Sequence, residues 1–264
     1  MDSQVSVIVP IYNAQDFLEN AVNSALVHPY VGEVILVEDG STDTSYDICL
    51  RLSEQIQRVV LLTHPHRVNR GAAASRNLGV ERSAFSLIAF LDADDTYYPN
   101  RFSEAVSLLK NNPTVDACFG IVEINYSDNG RSKMMGFMNR DPMTSVLTYL
   151  LKGGYFHTNS ITARKDFFQK VGFFDQACWP HEDTEMWIRM AAMGRLESIS
   201  EPNPIAIYRI HGNNLSRVTS LRSKMEVWKN IYKKVFYLPI GLTNKILILR
   251  QFGKVWIRQF LHSK

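Results

Sequence analysis

Cysteine is scarce in this chain. Cys49, Cys118 and Cys178 are odd in number, far apart and without CxxC pairing. Neither a disulfide framework nor a thiolate zinc motif is expected, and a reducing cytosol is the default setting. Long apolar runs are missing too: no stretch approaches the roughly 20 residues that a membrane-crossing helix needs. The polar start Met1–Gln4 and the short apolar segment Val5–Pro10 carry no signal-peptide pattern. Neither GxxxxGK[ST] nor GxGxxG occurs, so P-loop and Rossmann dinucleotide sites lack their key residues. Repeats, low-complexity tracts and Pro/Gly linkers are absent. Acidic residues nearly vanish at the end, where ten Lys/Arg stand against one acid, Glu226, between Thr219 and Lys264. The net charge of +3 therefore hides a mildly acidic body and a strongly basic tail. Such a tail favours anionic lipid or an acidic face of its own body. Nucleic acid is not an expected partner, because the basic charge is confined to the tail and no recognition motif accompanies it.

What is present suits an α/β domain. The chain has 264 residues and 45% hydrophobic content, enough for an ample core. Strands are predicted at Val5–Val9, Glu33–Val37, Val59–Leu62 and Leu87–Leu91. Helical spacing or cap residues fill the intervals at Ala14–Val27, Ser41 to about Gln55, Gly71–Val80 and Arg101–Asn111. Alternation of this kind implies crossover connections and a mostly parallel sheet flanked by helices. Further on, Ala117–Tyr126 and Arg131–Met138 flank an Asn129-Gly130 turn and read as a hairpin. Glu182–Met193 reads as a helix and Ile205–His211 as a late strand.

The most informative stretch is Leu87–Leu91 followed at once by Asp92-Ala93-Asp94-Asp95. Three carboxylates within four residues repel one another, and each costs free energy to desolvate. A hard divalent cation such as Mg²⁺ or Mn²⁺ removes both problems and commonly shares itself with substrate phosphates. A solvated acidic turn before the next helix is the plainer alternative. Two more acidic loops follow predicted elements: Glu38-Asp39 after the second strand, and Glu182-Asp183 at the start of a helix. In open parallel sheets ligands bind beyond the carboxyl ends of the strands, so the three loops should converge on one cleft. Gly71-Ala-Ala-Ala74 has no side chain larger than methyl, which permits close backbone approach and leaves helix N-terminal N–H groups for anions.

Taken in order, these pieces resemble glycosyltransferase family 2, whose fold is named GT-A. The resemblance rests on Val9-Pro-Ile-Tyr-Asn13, Val37-Glu-Asp-Gly-Ser-Thr-Asp43, Gly71 with Arg76-Asn77-Leu78-Gly79, and Asp92-Ala-Asp-Asp95. It continues through Glu182-Asp183 with Trp187 and Arg189, and Tyr208-Arg-Ile-His211 with Asn214 and Ser216. One departure is Glu38, where the family usually has aspartate. The resemblance implies metal-dependent, inverting transfer of a sugar from a UDP-sugar donor to a hydroxyl of a saccharide or lipid-linked saccharide. It implies nucleotide-sugar contacts at Pro10, Tyr12, Asn13, Asp39, Gly71, Arg76, Asp92, Ala93 and Asp94. Asp39 would accept an N–H from the uracil ring, as an acceptor-only carboxylate can. Asp94 would touch the metal with His211 as a further ligand, and imidazole beside carboxylate favours Mn²⁺ over Mg²⁺. Asp92 would face the sugar or ribose, and Asp95 would hold its neighbours. Asp183 would be the general base that takes the acceptor proton. Trp179 and Glu182 would contact the acceptor. The remaining histidines (His28, His64, His66, His157, His181, His262) read as structural.

Two other functions fit the acidic pattern. A sugar-phosphate nucleotidyltransferase would want a basic Gly-rich loop after the first strand, but Ile11–Asp16 has no Lys or Arg. A non-catalytic nucleotide-sugar-binding module would not need the acidic positions intact. The organisation expected is a GT-A catalytic domain over residues 1–216 and a basic amphipathic helical extension over 217–264. Within Lys245–Leu261, Leu249, Phe252, Trp256 and Phe260 share one helical face and Arg250, Lys254 and Arg258 another. That helix could lie in an anionic membrane interface or pack on the catalytic domain. The expected location is the cytoplasm, either free or at the inner face of a membrane.

Overall fold

A computed structural model describes residues 4–126, 130–136, 145–211 and 221–262. The first half alternates as its hydrophobic pattern predicts: β1 (Val5–Ile11), α1 (Leu18–Leu26), β2 (Val31–Glu38), α2 (Ser45–Gln55), β3 (Val59–Thr63), α3 (Gly71–Arg82) and β4 (Leu87–Phe90). Next come β5 (Thr96–Tyr97), α4 (Ser103–Asn111), β6 (Ala117–Phe119), β7 (Val122–Tyr126), β8 (Arg131–Met135) and α5 (Val146–Leu151). The chain ends through β9 (Thr162–Arg164), α6 (Lys165–Val171), α7 (Glu182–Met193), β10 (Leu196–Ser198), β11 (Ala206–Ile210), α8 (Leu221–Val235) and α9 (Leu242–His262).

Seven strands form the central sheet in the order β10-β6-β9-β4-β1-β2-β3. Strand β1 pairs in parallel with β2 and β4, and β2 with β3, while β9 runs antiparallel between β4 and β6. Both faces of the sheet are covered. Val5, Val7, Val9, Val34 and Leu36 join one core, whereas Ile8, Ile35, Val37, Ile88 and Phe90 join the other. Successive strand residues point to opposite faces, so a doubly covered strand must be apolar throughout. A second sheet, β5-β11-β7-β8, stands beside the first.

Three sequence expectations change. The first helix begins at Leu18 rather than Ala14, because Ala14–Phe17 form turns, with the Ala14 amide donating to Ser45 Oγ. Ala117–Tyr126 is two strands in two sheets, separated at Gly120 and Ile121. A Cβ at Gly120 would lie 2.7 Å from Ile205, so glycine lets the chain pass between the sheets. Strand β5 was not legible, since two residues carry no period and take their form from pairing with β11. The hairpin is present as β7 against β8. Ser127–Asn129 of its turn, Met138, Asn214, Ser216 and the boundary expected at 216/217 lie outside the described residues.

The C-terminal helices pack on the body. Val227, Ile231 and Val235 of α8 and Ile248 of α9 are buried in the same core as Trp187 of α7. Leu249 and Trp256, expected to share a face with Phe252, are exposed, while Phe252 is half-buried against Tyr232. Phe260, Arg258 and Leu261 have no described side chains. Among the described residues no helix is long and apolar enough to cross a membrane.

Candidate active site

The carboxyl ends of β1, β2 and β4 open into a cleft of about 1010 Å³. Its walls include every residue singled out from the sequence: Pro10, Tyr12, Asn13, Asp39, Gly71, Arg76, Asp92, Ala93, Asp94, Trp179, Glu182, Asp183 and His211. The three acidic loops therefore meet, as the parallel sheet requires.

On one side, Asn13 and Asp39 organise the loops. Asn13 adopts φ +52, and its Oδ1 accepts the Thr42 amide at 2.8 Å, stapling the β1 loop to the β2 loop. Asp39 is buried, and its two oxygens accept the amides of Arg70 (2.7 Å) and Gly71 (2.8 Å). Burial raises its pKa, and those two amides pull the other way. The N–H of Gly71, which the sequence left open for an anion, is thus already engaged by this carboxylate. Gly71 has φ +84 with nothing near its missing Cβ, so glycine serves the backbone conformation here. Glu38 is fully buried and accepts the Ser41 amide and Arg67 Nε, which shows how glutamate serves where the family has aspartate.

At the centre sits Arg76. It is 6% exposed, and its guanidinium donates from Nη2 to Asp92 Oδ1 (2.8 Å) and from Nη1 to Glu182 Oε1 (3.0 Å). Burial disfavours its charge, but Asp92 and Glu182 more than compensate and raise its pKa. Burial pushes Asp92 up as well, yet the Arg76 charge outweighs this and holds it below the usual carboxylate range. Glu182 ends above its usual range, because burial and Asp183 together exceed the help from Arg76. Its Oε2 is buried without a hydrogen-bond partner among the described residues.

Asp94 and His211 form a second pair, with His211 Nε2 3.0 Å from Asp94 Oδ2. The His211 ring stacks on Phe17 at 5.0 Å. Burial raises Asp94, and the neighbouring Asp92 charge adds to it. Asp95 turns inward: its carboxylate accepts Asn159 Nδ2 and the Arg209 amide, tying the strand-end loop to β11. Burial, then the charges of Asp94 and Asp92, raise it well above the usual range. Asp92, Asp95 and His157 also bring one ligand atom each within 4.8 Å of one another, a geometry that could hold a metal. However, Arg76 occupies Asp92, and Asn159 with Arg209 occupies Asp95. Asp94 and His211 also set a carboxylate oxygen beside an imidazole nitrogen on the cleft wall, donor types that divalent ions accept.

Asp183 opens α7. Its Oδ1 accepts the Thr184 amide at 2.6 Å, and its Oδ2 accepts the Tyr155 hydroxyl. Tyr155 is pushed well above its ordinary pKa by burial and by the Asp183 charge, so it remains a donor. Trp179 stands half-exposed on the rim.

Tyr208 of the late motif also lines the cleft, as do Tyr155, His157 and Thr158, which the sequence did not mark as site residues. His157, read as structural, accepts the Asn159 amide on Nδ1 and so caps the Thr158–Ser160 turn, and it also lines the cleft. Its ring lies 4.4 Å from that of Tyr208, and burial, partly countered by Asp92, lowers its pKa. The available signal was the polar run His157–Ser160. Asn159 Oδ1 accepts the Asp92 amide at 2.9 Å, and buried Arg101 donates to the Asn159 and Ile161 carbonyls, pinning this segment beneath the acidic loop.

Comparison with known proteins agrees with this geometry. The sequence profile of the family described as "Glycosyl transferase family 2" matches residues 6–172. An uncharacterized glycosyltransferase of Nostoc sp. is 28% identical, over 94% of this chain and 80% of its own length. One from Rickettsia prowazekii is 25% identical, over 88% of this chain and 72% of its own. Among solved structures, S. aureus TarS 1-349 in complex with UDP-GlcNAc superposes with a TM-score of 0.76 at 18% identity, covering 96% of this chain and 72% of that one. That likeness concerns the fold.

Proposed function

Because this chain belongs to glycosyl transferase family 2, we propose that it moves a hexose-type sugar from a UDP-sugar to a hydroxyl of a saccharide, free or lipid-linked, with inversion at the anomeric carbon. The observation that carries the proposal is the convergence of Asp39, Asp94 and Asp183 on one cleft, with Arg76 joining the Asp92 and Glu182 loops. The UDP-GlcNAc held by S. aureus TarS supports a UDP-sugar as donor.

In this reading Asp39, Arg76 and the loop around Asn13 receive the nucleotide, while Asp92 faces the sugar or ribose. Asp183 accepts the acceptor hydroxyl proton as the new C–O bond forms and the bond from the anomeric carbon to UDP breaks. Its carboxylate is aimed by the Thr184 amide and the Tyr155 hydroxyl, so little reorganisation is needed when the acceptor arrives. Attack from the face opposite UDP inverts the anomeric centre, as in inverting glycoside hydrolysis. Asp94 and His211 would hold Mn²⁺ or Mg²⁺. When bound, such an ion supplies Lewis-acid stabilisation for the charge on the departing diphosphate.

The test is UDP release from a panel of UDP-sugars with Mn²⁺, paired with UDP binding. Slow release by the native chain is expected. Asp183→Asn should keep UDP binding while turnover falls by about 10²-fold or more. Undiminished turnover in that variant removes Asp183 from the role. Turnover that requires pyrophosphate would instead make the chain a nucleotidyltransferase. Binding without any turnover would make it a nucleotide-sugar-binding module.

A further inference from the structure

Helix α9 has two apolar faces, and among the described residues one is buried in the core while the other is largely exposed. On the inner face Ile248 is fully buried, Gln251 Nε2 donates to the Leu151 carbonyl, and Asn244 Oδ1 accepts from Thr148. On the face turned away, Leu242 (74%), Ile246 (55%), Leu249 (47%) and Trp256 (57%) are exposed. At about 100° per residue these four, with Gly253 between them, fall on one stripe opposite Gln251. Ile257 broadens the stripe at 54% exposure. An apolar row of this extent in water costs free energy unless something covers it.

The charge on the helix identifies the cover. Over Leu242–His262 the sequence has no Asp or Glu and four cations, Lys245, Arg250, Lys254 and Arg258. The exposed Arg250 and Lys254 follow the stripe on its flank, and Lys233 and Lys224 of α8 are exposed on the adjoining helix. A second copy of the chain would bring these cations against their equivalents. An acidic lipid surface offers hydrocarbon to the stripe and phosphate to its flank. The same four cations argue that the helix lies along a bilayer and does not enter it.

We propose that α9 docks the protein onto anionic membrane, with Leu242, Ile246, Leu249 and Trp256 at the acyl boundary and Arg250 and Lys254 on the headgroups. This surface is separate from the cleft, so the proposal stands or falls independently of the catalytic reading. The experiment is co-sedimentation of the full chain with vesicles of phosphatidylcholine alone and of phosphatidylcholine mixed with phosphatidylglycerol. Pelleting should rise about tenfold or more with the anionic lipid and fall again in high salt. Ile246→Ser with Leu249→Ser should abolish pelleting while leaving thermal melting and UDP binding unchanged. Equal pelleting with both vesicles, or no pelleting of folded protein, overturns the proposal. So does a doubled mass by light scattering that the double variant abolishes, because a second copy would then cover the stripe.

Discussion

Arg76 binds both Asp92 and Glu182, the latter 106 residues further along the sequence. Removing it strands the Asp92 and Glu182 carboxylates against each other in a buried place. Arg76→Ala should therefore cost about 3–5 kcal/mol in denaturant unfolding, well beyond a surface substitution. Tyr155 acts on Asp183 through its hydroxyl, so Tyr155→Phe should lower kcat about tenfold and leave KM for the donor nearly unchanged. A fall in donor affinity with kcat intact would show that Tyr155 shapes the donor pocket instead. The acidic residues were legible from sequence because like charges beside a buried strand demand an explanation. Tyr155 and His157 were not. They sit in a connection whose placement depends on β9 entering the sheet antiparallel between β4 and β6, and no local pattern encodes that.

Elements were legible wherever both faces or one full face is buried. The runs that became β1, β2 and β4 could be read because doubly covered strands are apolar throughout. The start of α1 and the split between β6 and β7 could not, since side-chain hydrogen bonds from Ser41 and Ser45 and the narrow passage at Gly120 decide them. Helix α3 shows what close packing of elements requires. A Cβ at Gly79 would stand 2.4 Å from Ile8 Cγ2, so Gly79→Ala should force α3 away from β1. A loss of about 1–3 kcal/mol is expected, read as a lowered Tm. An unchanged Tm would mean that Ile8 yields without moving the helix.

For the whole molecule, part of the acid sensitivity follows from a buried histidine outside the cleft lining. His28 is 3% exposed with its ring edge-on to Phe102, and its Nε2 has no partner. Burial, aided by the Arg101 charge, lowers its pKa from 6.5 to about 4. The unfolded chain takes up a proton that the folded chain refuses, so this contribution is intact above about pH 6.5 and shrinks as pH falls toward 4. Between about pH 8 and pH 5 the loss should be on the order of 2 kcal/mol, and His28→Gln should flatten that part of the profile. The extension at the end shares its core with α7, a relation the sequence showed only as a basic amphipathic pattern. The proposed function makes the cleft, where separated carboxylates meet, the place that receives a nucleoside diphosphate together with a cation. Calorimetric titration with UDP tests this most directly, in the presence and absence of Mn²⁺, on the native chain and on Asp94→Ala. The account predicts binding that weakens about tenfold or more without Mn²⁺ and loses its metal dependence in the variant. Equal UDP affinity in all four titrations would contradict it.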